Sequence, residues 1–309
     1  MLSLLLPPSL LALIAALALI TTTTAAFLVL LPFALLKFMV PLRGFRGACN
    51  DLINAIALHW VEINRLLYEL LYPQAWDVEI GGELDPSKSY LLVSNHQSWA
   101  DIMVLVDVFH QRTPFPRFFV KRELMWVPVI GLACWAMEMP FMKRYSKEVL
   151  EKYPHLKGED LEATRRACEK YRGQPVTVVN FLEGTRFSEA KRLARRSPHR
   201  HLLPAKAAGL SFALNAMGDQ FAGVLNVTIA YQSSKYPIAL SFLAGEQTRL
   251  TVHAEVQPLP QDLLAGDYQN DPAFRARFQA WVNGLWTRKD AKLDKLIAGQ
   301  STAVRPRMT

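Results

Sequence analysis

Residues 89–109 read SYLLVSNHQSWADIMVLVDVF, and the fold class turns on how they divide. Two apolar runs, at 90–93 and 102–109, flank the polar stretch SNHQSWAD. The first has the length of a buried strand and the second continues at helical length, so a strand ends and a helix begins inside that stretch. Ser98 falls at the expected N-cap, and Asp101 stands three residues on, in the Ser-x-x-acid pattern that satisfies free amides at a helix start.

The same alternation continues downstream. GGELDPSKS (81–89) is a turn before the first strand. RFFVKR (117–122) reads as a strand and 140–143 as a short one. DLEATRRACEKYR (160–172) is a helix stopped by Gly173. PVTVVNFLE (175–183) is a strand, and PAKAAGLSFALNAM (204–217) a helix stopped by Gly218. AGVLNVTIAYQ (222–232) and RLTVHAEVQPL (249–259) are strands, and 272–299 form a terminal helix. Strands alternating with helices predict an α/β fold, a mostly parallel sheet flanked by helices.

Upstream the composition changes. Hydrophobic residues make up 51% of the chain, and the excess sits at the start: between Leu2 and Val40 the only charged side chain is Lys37. This run exceeds the ~20 apolar residues of one spanning helix. A signal peptide would carry a basic start and a short apolar core; the run has neither. A membrane anchor over 1–42 is expected, either one spanning helix or a helical pair that turns at TTTT or Pro32 and returns. Lys37, Arg43 and Arg46 near its end place the remainder of the chain on the cytoplasmic side. Residues 43–75 read as an amphipathic linker helix, with Trp60, Ile63, Leu66, Leu67, Leu70 and Leu71 at helical spacing, and 76–309 as the globular domain. The net charge of +8 suits an anionic membrane surface more simply than nucleic acid. Three widely spaced cysteines, Cys49, Cys134 and Cys168, form neither a disulfide framework nor a structural zinc site.

His96 and Asp101 are the chemical candidates. Five residues along one helix turn about 500°, so the two meet only if His96 lies in the loop and Asp101 in the first helical turn. Two readings stay open. Asp101 caps the helix and His96 is a turn residue, or Asp101 fixes the tautomer of a histidine base. Farther on, FLEGTRFS (181–188) runs from a strand into a turn at Gly184, where Arg186 is suited to gripping a phosphate. Both motifs fall at carboxyl ends of strands, where open α/β sheets bind ligands. From Arg186 to Lys206 stand seven Lys or Arg, with His199 and His201, against only Glu189. This is either a solvated loop or a landing pad for phosphates, anionic lipid or an acidic carrier.

N-H-x-S-x-x-D with a later E-G-T-R resembles the glycerolipid acyltransferase family, the lysophosphatidic acid (1-acylglycerol-3-phosphate) acyltransferases. Lys121-Arg122-Glu123-Leu124 with Pro128 and Gly131 is similar to that family's K-x-E-L…P…G block, and Phe141-Met142-Lys143-Arg144 to its next block. Two departures stand out: Leu182 where a proline precedes the glutamate, and a proline-free VLNVTIAYQ. The resemblance implies transfer of a fatty acyl group from acyl-CoA or acyl carrier protein to a lysophospholipid hydroxyl. His96 is then the base and Asp101 its orienter. Glu183, Gly184, Thr185, Arg186, Lys121 and Arg144 hold the acceptor's head, and the helix start after His96 helps hold an oxyanion. It implies no metal and no bound cofactor, membrane phospholipid and lysophospholipid as partners, no nucleic acid, and the cell's inner membrane with the catalytic domain facing the cytoplasm. The alternatives are a lipid ester or thioester hydrolase and a non-catalytic binder of anionic lipid.

Overall fold

The computed structural model describes residues 5–72, 76–142, 152–153, 166, 168–264 and 266–302. Their helices are α1 (Pro8–Met39), α2 (Arg43–Leu71), α3 (Ala100–Val108), α4 (Ile130–Ala136), α5 (Glu189–Ala194), α6 (Ala208–Met217), α7 (Ile238–Leu243) and α8 (Pro272–Thr302). The strands are β1 (Asp77–Gly81), β2 (Ser89–Ser94), β3 (Pro116–Phe118), β4 (Val120–Lys121), β5 (Phe141–Met142), β6 (Thr177–Phe181), β7 (Phe221–Ala230) and β8 (Thr251–Gln257). The larger sheet has the order β1-β8-β7-β2-β6-β3. Strands β3, β6, β2 and β7 run parallel, while β8 is antiparallel to β7 and parallel to β1.

Strand β2 is buried along its whole length, as a near-continuous apolar run in a parallel sheet requires. Its side chains alternate between two cores. Leu91 and Val93 join Leu210, Leu214, Phe278 and Trp286 on the α6/α8 side. Tyr90 and Leu92 join Val104, Leu105, Phe109 and Ile229 on the α3 side. Each Leu or Val so buried contributes ~1.5–3 kcal/mol, and a one-residue slip would exchange the two sets. The mostly parallel sheet between helices is the predicted architecture.

Several elements depart from expectation in detail. RFFVKR is not one strand: β3 belongs to the large sheet, whereas β4 pairs with β5 in a separate two-stranded sheet. The expected basic loop contains helix α5, capped by Ser188, whose Oγ accepts from the Lys191 amide at 3.3 Å. The DVEIG strand β1 and helices α4 and α7 went unread. Most of the expected helix at 160–172 lies outside the described residues.

Helix α1 runs unbroken through TTTT and Pro32. The threonines do not turn the chain; Thr22 and Thr23 face the next helix. Thr22 Oγ1 lies 2.9 Å from Asn64 Oδ1, and Trp60 Nε1 donates to Thr23 Oγ1 at 3.2 Å. The hairpin is therefore α1 against α2, not a return within 1–42. Nor does α1 stand away from the α/β domain. Leu11 and Ala15 pack with Leu71, Tyr72 and Leu243, and Leu30 and Ala34 pack with Ala136 and Met137. On α2 the buried side chains are Cys49, Ile53, Ala57, Val61 and Leu71, while Ile63, Leu66 and Leu70 of the predicted apolar stripe point outward.

Candidate functional site

Strand β2 delivers the chain to His96, and the loop is fixed before any side-chain chemistry begins. Asn95 lies across β7 and exchanges two bonds with Ile229: Nδ2 donates to its carbonyl and Oδ1 accepts its amide, both at 2.9 Å. Helix α3 begins at Ala100 with Trp99 at its N-cap position. Ser98 is not the N-cap; its Oγ accepts from the Ala100 amide at 3.3 Å.

His96 Nδ1 lies 2.8 Å from Asp101 Oδ2. The same oxygen accepts the amides of Gln97 (2.7 Å) and Ser98 (2.9 Å), and Oδ1 accepts the Tyr231 hydroxyl at 2.6 Å. The capping and orienting readings are thus not alternatives, since one buried carboxylate does both. A carboxylate only accepts, so the Nδ1 contact is Nδ1–H donating, which leaves the Nε2 lone pair free in neutral histidine. The imidazole stacks on Phe181 with centroids 4.1 Å apart, and its side chain remains 17% exposed. At this helix start, where an oxyanion role was expected, the Gln97 and Ser98 amides serve Asp101 and the Ala100 amide serves Ser98.

The E-G-T-R segment closes round the histidine from the other side. Glu183 accepts the His96 amide on one oxygen and the Leu203 amide on the other, each at 2.9 Å. The Phe187 amide donates to the His96 carbonyl at 2.7 Å. The His96 backbone is therefore held at both ends by a segment ~90 residues away. Glu183 is completely buried, which corrects its expected place: it lies beneath the site and does not line it. Burial pushes its carboxyl up to about 7, against the pull of the two amides, with Asp101 adding to the rise and Lys289 opposing it. Lys289 of α8 is buried too. Its ammonium donates to the Val227 carbonyl and to Thr228 Oγ1 (3.3 Å). Burial lowers it to about 7, with Glu183 opposing. Burial and the neighbouring Asp101 carboxylate raise the Tyr231 hydroxyl well above its usual value, so it stays protonated as a donor.

Gly184 has φ +66°, a conformation that favours glycine, and its amide closes the turn onto the Phe181 carbonyl at 2.9 Å. The basic segment folds back over this turn. Lys191 Nζ donates to Thr185 Oγ1 (3.1 Å) and to the Arg186 carbonyl (2.8 Å). Arg195 reaches the Glu183 carbonyl at 3.4 Å. The Lys206 stem passes Gly184 so closely that an added Cβ would meet its Cδ at 3.3 Å. Arg186 itself is exposed. Lys121 is placed by the β4–β5 pair, opposite Met142; Arg144, two residues on, lies outside the described residues.

Sequence reading missed Asn95, Tyr231, Lys191, Lys206 and Lys289. Tyr231 comes directly after the apolar strand β7, and Lys191 lies in a visible charge run. Nothing local marks Lys289, one cation among several on a charge-laced helix. Among the described residues no group of three or more His, Cys, Asp or Glu is placed to hold a metal.

The profile of the family described as Acyltransferase matches residues 77–239. The human 1-acyl-sn-glycerol-3-phosphate acyltransferase alpha is 29% identical over 150 residues, 48% of this chain and 46% of that protein. The gamma protein of Mus musculus is 26% identical over 184 residues, 57% and 44%. The match spans about half the length of these animal relatives. The 1-acyl-sn-glycerol-3-phosphate acyltransferase 2 of Brassica oleracea is 24% identical over 310 residues, 90% of this chain and 73% of that protein. The crystal structure of the 1-acyl-sn-glycerophosphate (LPA) acyltransferase PlsC of Thermotoga maritima aligns over 92% of this chain and 98% of that one, with 16% identity and a TM-score of 0.48.

Proposed function

The chain belongs to the acyltransferase family, and from that premise we propose that it acylates 1-acylglycerol-3-phosphate to phosphatidic acid, using acyl-CoA or acyl carrier protein as donor. The observation that carries the reading is the His96–Asp101 contact at 2.8 Å, with Asp101 tied to two amides and Tyr231 and the His96 backbone clamped by Glu183 and Phe187.

With Nδ1–H committed to Asp101, Nε2 takes the proton of the acceptor hydroxyl. The oxygen attacks the thioester carbonyl, the carbon–sulfur bond breaks, and the departing thiolate receives the proton from the imidazolium. Asp101 stabilises that imidazolium, and such a base contributes ~10²–10⁴ in rate. Arg186 grips the phosphate bidentately, with Lys191 and Lys206 beside it and Lys121 and Arg144 completing the cationic wall. Glu183 holds the backbone of the base in place. No bound cofactor is needed.

The protein works at the cytoplasmic leaflet of the inner membrane, where acceptor and product reside. Helix α1 is apolar enough to cross a bilayer. At 1.5 Å per residue its 32 residues run about 48 Å, and both ends pack on the catalytic domain. That favours a helix lying along the interface over one standing across it.

The test uses purified protein with labelled acyl-CoA and a panel of lysophospholipids, wild type beside His96→Ala. Diacyl product from wild type, lost in the variant, is expected. Free fatty acid whatever the acceptor would point to a hydrolase, and equal product from both proteins would remove His96 from the chemistry.

A further inference from the structure

The K-x-E-L…P…G segment is only partly used by the proposed acyl transfer. Lys121 serves the acceptor's phosphate there, but the residues after it do something else. Arg122–Trp126 form a 3-10 turn and Ile130–Ala136 the helix α4. The turn is tied to the helix by the Val127 amide on the Leu124 carbonyl (3.1 Å) and the Gly131 amide on the Val127 carbonyl (2.8 Å). At Gly131 an added Cβ would stand 2.4 Å from the Met125 carbonyl oxygen and 2.6 Å from that of Leu124. Only glycine lets the backbones approach so closely. The result is a compact knot whose side chains face solvent. Trp126 is 82% exposed, Ile130 45% and Trp135 41%, and Met125, Val127 and Leu132 are exposed with them.

Such a patch on one short segment calls for a partner, and three observations say which. It continues into the outer face of α1: the Phe38 and Trp135 rings lie 6.1 Å apart, and Phe38 is 73% exposed. The charges that flank it in the chain are cationic: exposed Lys121 and Arg122 at its start, and exposed Arg43 and Arg46 shortly after Phe38, against Glu123 alone in the segment. Its two tryptophans are the residue type that settles at the headgroup level of a bilayer. A protein partner fits less well, since the patch has no groove and merges with a helix face already fit for lipid.

We propose that residues 122–135 form a second membrane-contacting element, a rigid wedge on the catalytic domain that enters the headgroup region of an anionic bilayer beside α1. It rests on the proposed membrane-bound acyl transfer. The wedge follows β3 in the chain, and Phe118 of β3 stacks at 6.2 Å on Phe181, which stacks on His96. Lipid contact there places the acceptor's hydroxyl and phosphate next to the histidine without the lysolipid leaving the bilayer.

The test places an environment-sensitive fluorophore at Trp126→Cys, with Cys134→Ala to remove the partly buried native thiol, in full-length protein reconstituted with phosphatidylcholine–phosphatidylglycerol vesicles. An Asp219→Cys label serves as the reference, on an exposed turn before β7. At position 126 the emission is expected to shift to the blue and to be quenched by nitroxide-bearing lipids, with no such change at 219. Vesicle-bound protein whose label at 126 stays in water would overturn the wedge while leaving the anchor and the acyl transfer intact. So would a blue shift that depends on protein concentration and not on lipid, the sign of a second copy. As a second measurement, Trp126→Asp with Ile130→Asp is expected to raise the apparent KM for vesicle-borne lysolipid about tenfold and to leave kcat on a short-chain, water-soluble acceptor unchanged. Equal loss on both acceptors would refute the wedge.

Discussion

Replacing Asp101 by asparagine separates orientation from charge at the proposed base. Oδ2 accepts three N–H groups, from His96, Gln97 and Ser98, while Oδ1 accepts one hydroxyl from Tyr231. An asparagine therefore settles with its oxygen on the three-donor side. Its NH2 then meets the Tyr231 oxygen, which can turn its proton away and accept. Shape and tautomer survive, and the negative charge alone is lost. Hydrogen bonds to a charged group are worth ~1.5–3 kcal/mol and neutral ones ~0.5–1.5 kcal/mol, so the transition state loses roughly 1–2 kcal/mol. That predicts a kcat about 5- to 30-fold lower, well short of the ~10⁴ loss seen where an asparagine forces the wrong tautomer. Asp101→Ala should instead orphan buried donors at ~1–3 kcal/mol each and show itself as a lower melting temperature. The assay is initial-rate kinetics with acyl-CoA and 1-acylglycerol-3-phosphate, alongside thermal unfolding of each variant. A kcat for Asp101→Asn within twofold of wild type would refute the catalytic role of this pair and leave only the cap.

The cations on the E-G-T-R turn predict a binding effect. Lys191→Met and Lys206→Met should each raise KM for a phosphomonoester acceptor about fivefold, allowing for solvent screening, with kcat within twofold; an unchanged KM, titrated against acceptor concentration, would remove them from the site. The buried pair predicts how stability depends on pH. Glu183 sits at about 7 in the fold against 4.5, so the folded state binds the extra proton between these values and stability falls as pH rises through that window. Lys289 sits at about 7 against 10.5, so there the unfolded state binds the extra proton and stability rises with pH from about 7 to 10.5, by up to ~1.4 kcal/mol per pH unit. Lys289→Met should flatten that alkaline rise in denaturant unfolding measured across pH; an identical slope in the variant would contradict it.

The pleat and the helical turn write themselves into local sequence, which is why β2, α3, β6, α6, β7, β8 and α8 were legible from apolar runs, alternation and stop residues. His96 and Asp101 were legible for the same reason, being five residues apart across a strand-to-helix turn whose geometry is local. The apolar start was equally plain as composition. Its disposition was not: whether α1 turns back at TTTT depends on the partner its threonines find, and Asn64 and Trp60 of α2 supply it.

Sequence by itself thus determined the element types, the alternating architecture and the pair proposed to perform the chemistry, because each depends on contacts a few residues apart. Tertiary structure alone decided that Glu183 lies buried beneath His96 with both oxygens on amides, that Tyr231 completes the cage round Asp101, and that Lys289 rises from α8 into the core near Glu183. These depend on the strand order β7-β2-β6, which sets three carboxyl ends side by side. No local periodicity carries that order, since it is chosen by the packing of two cores against opposite faces of one sheet.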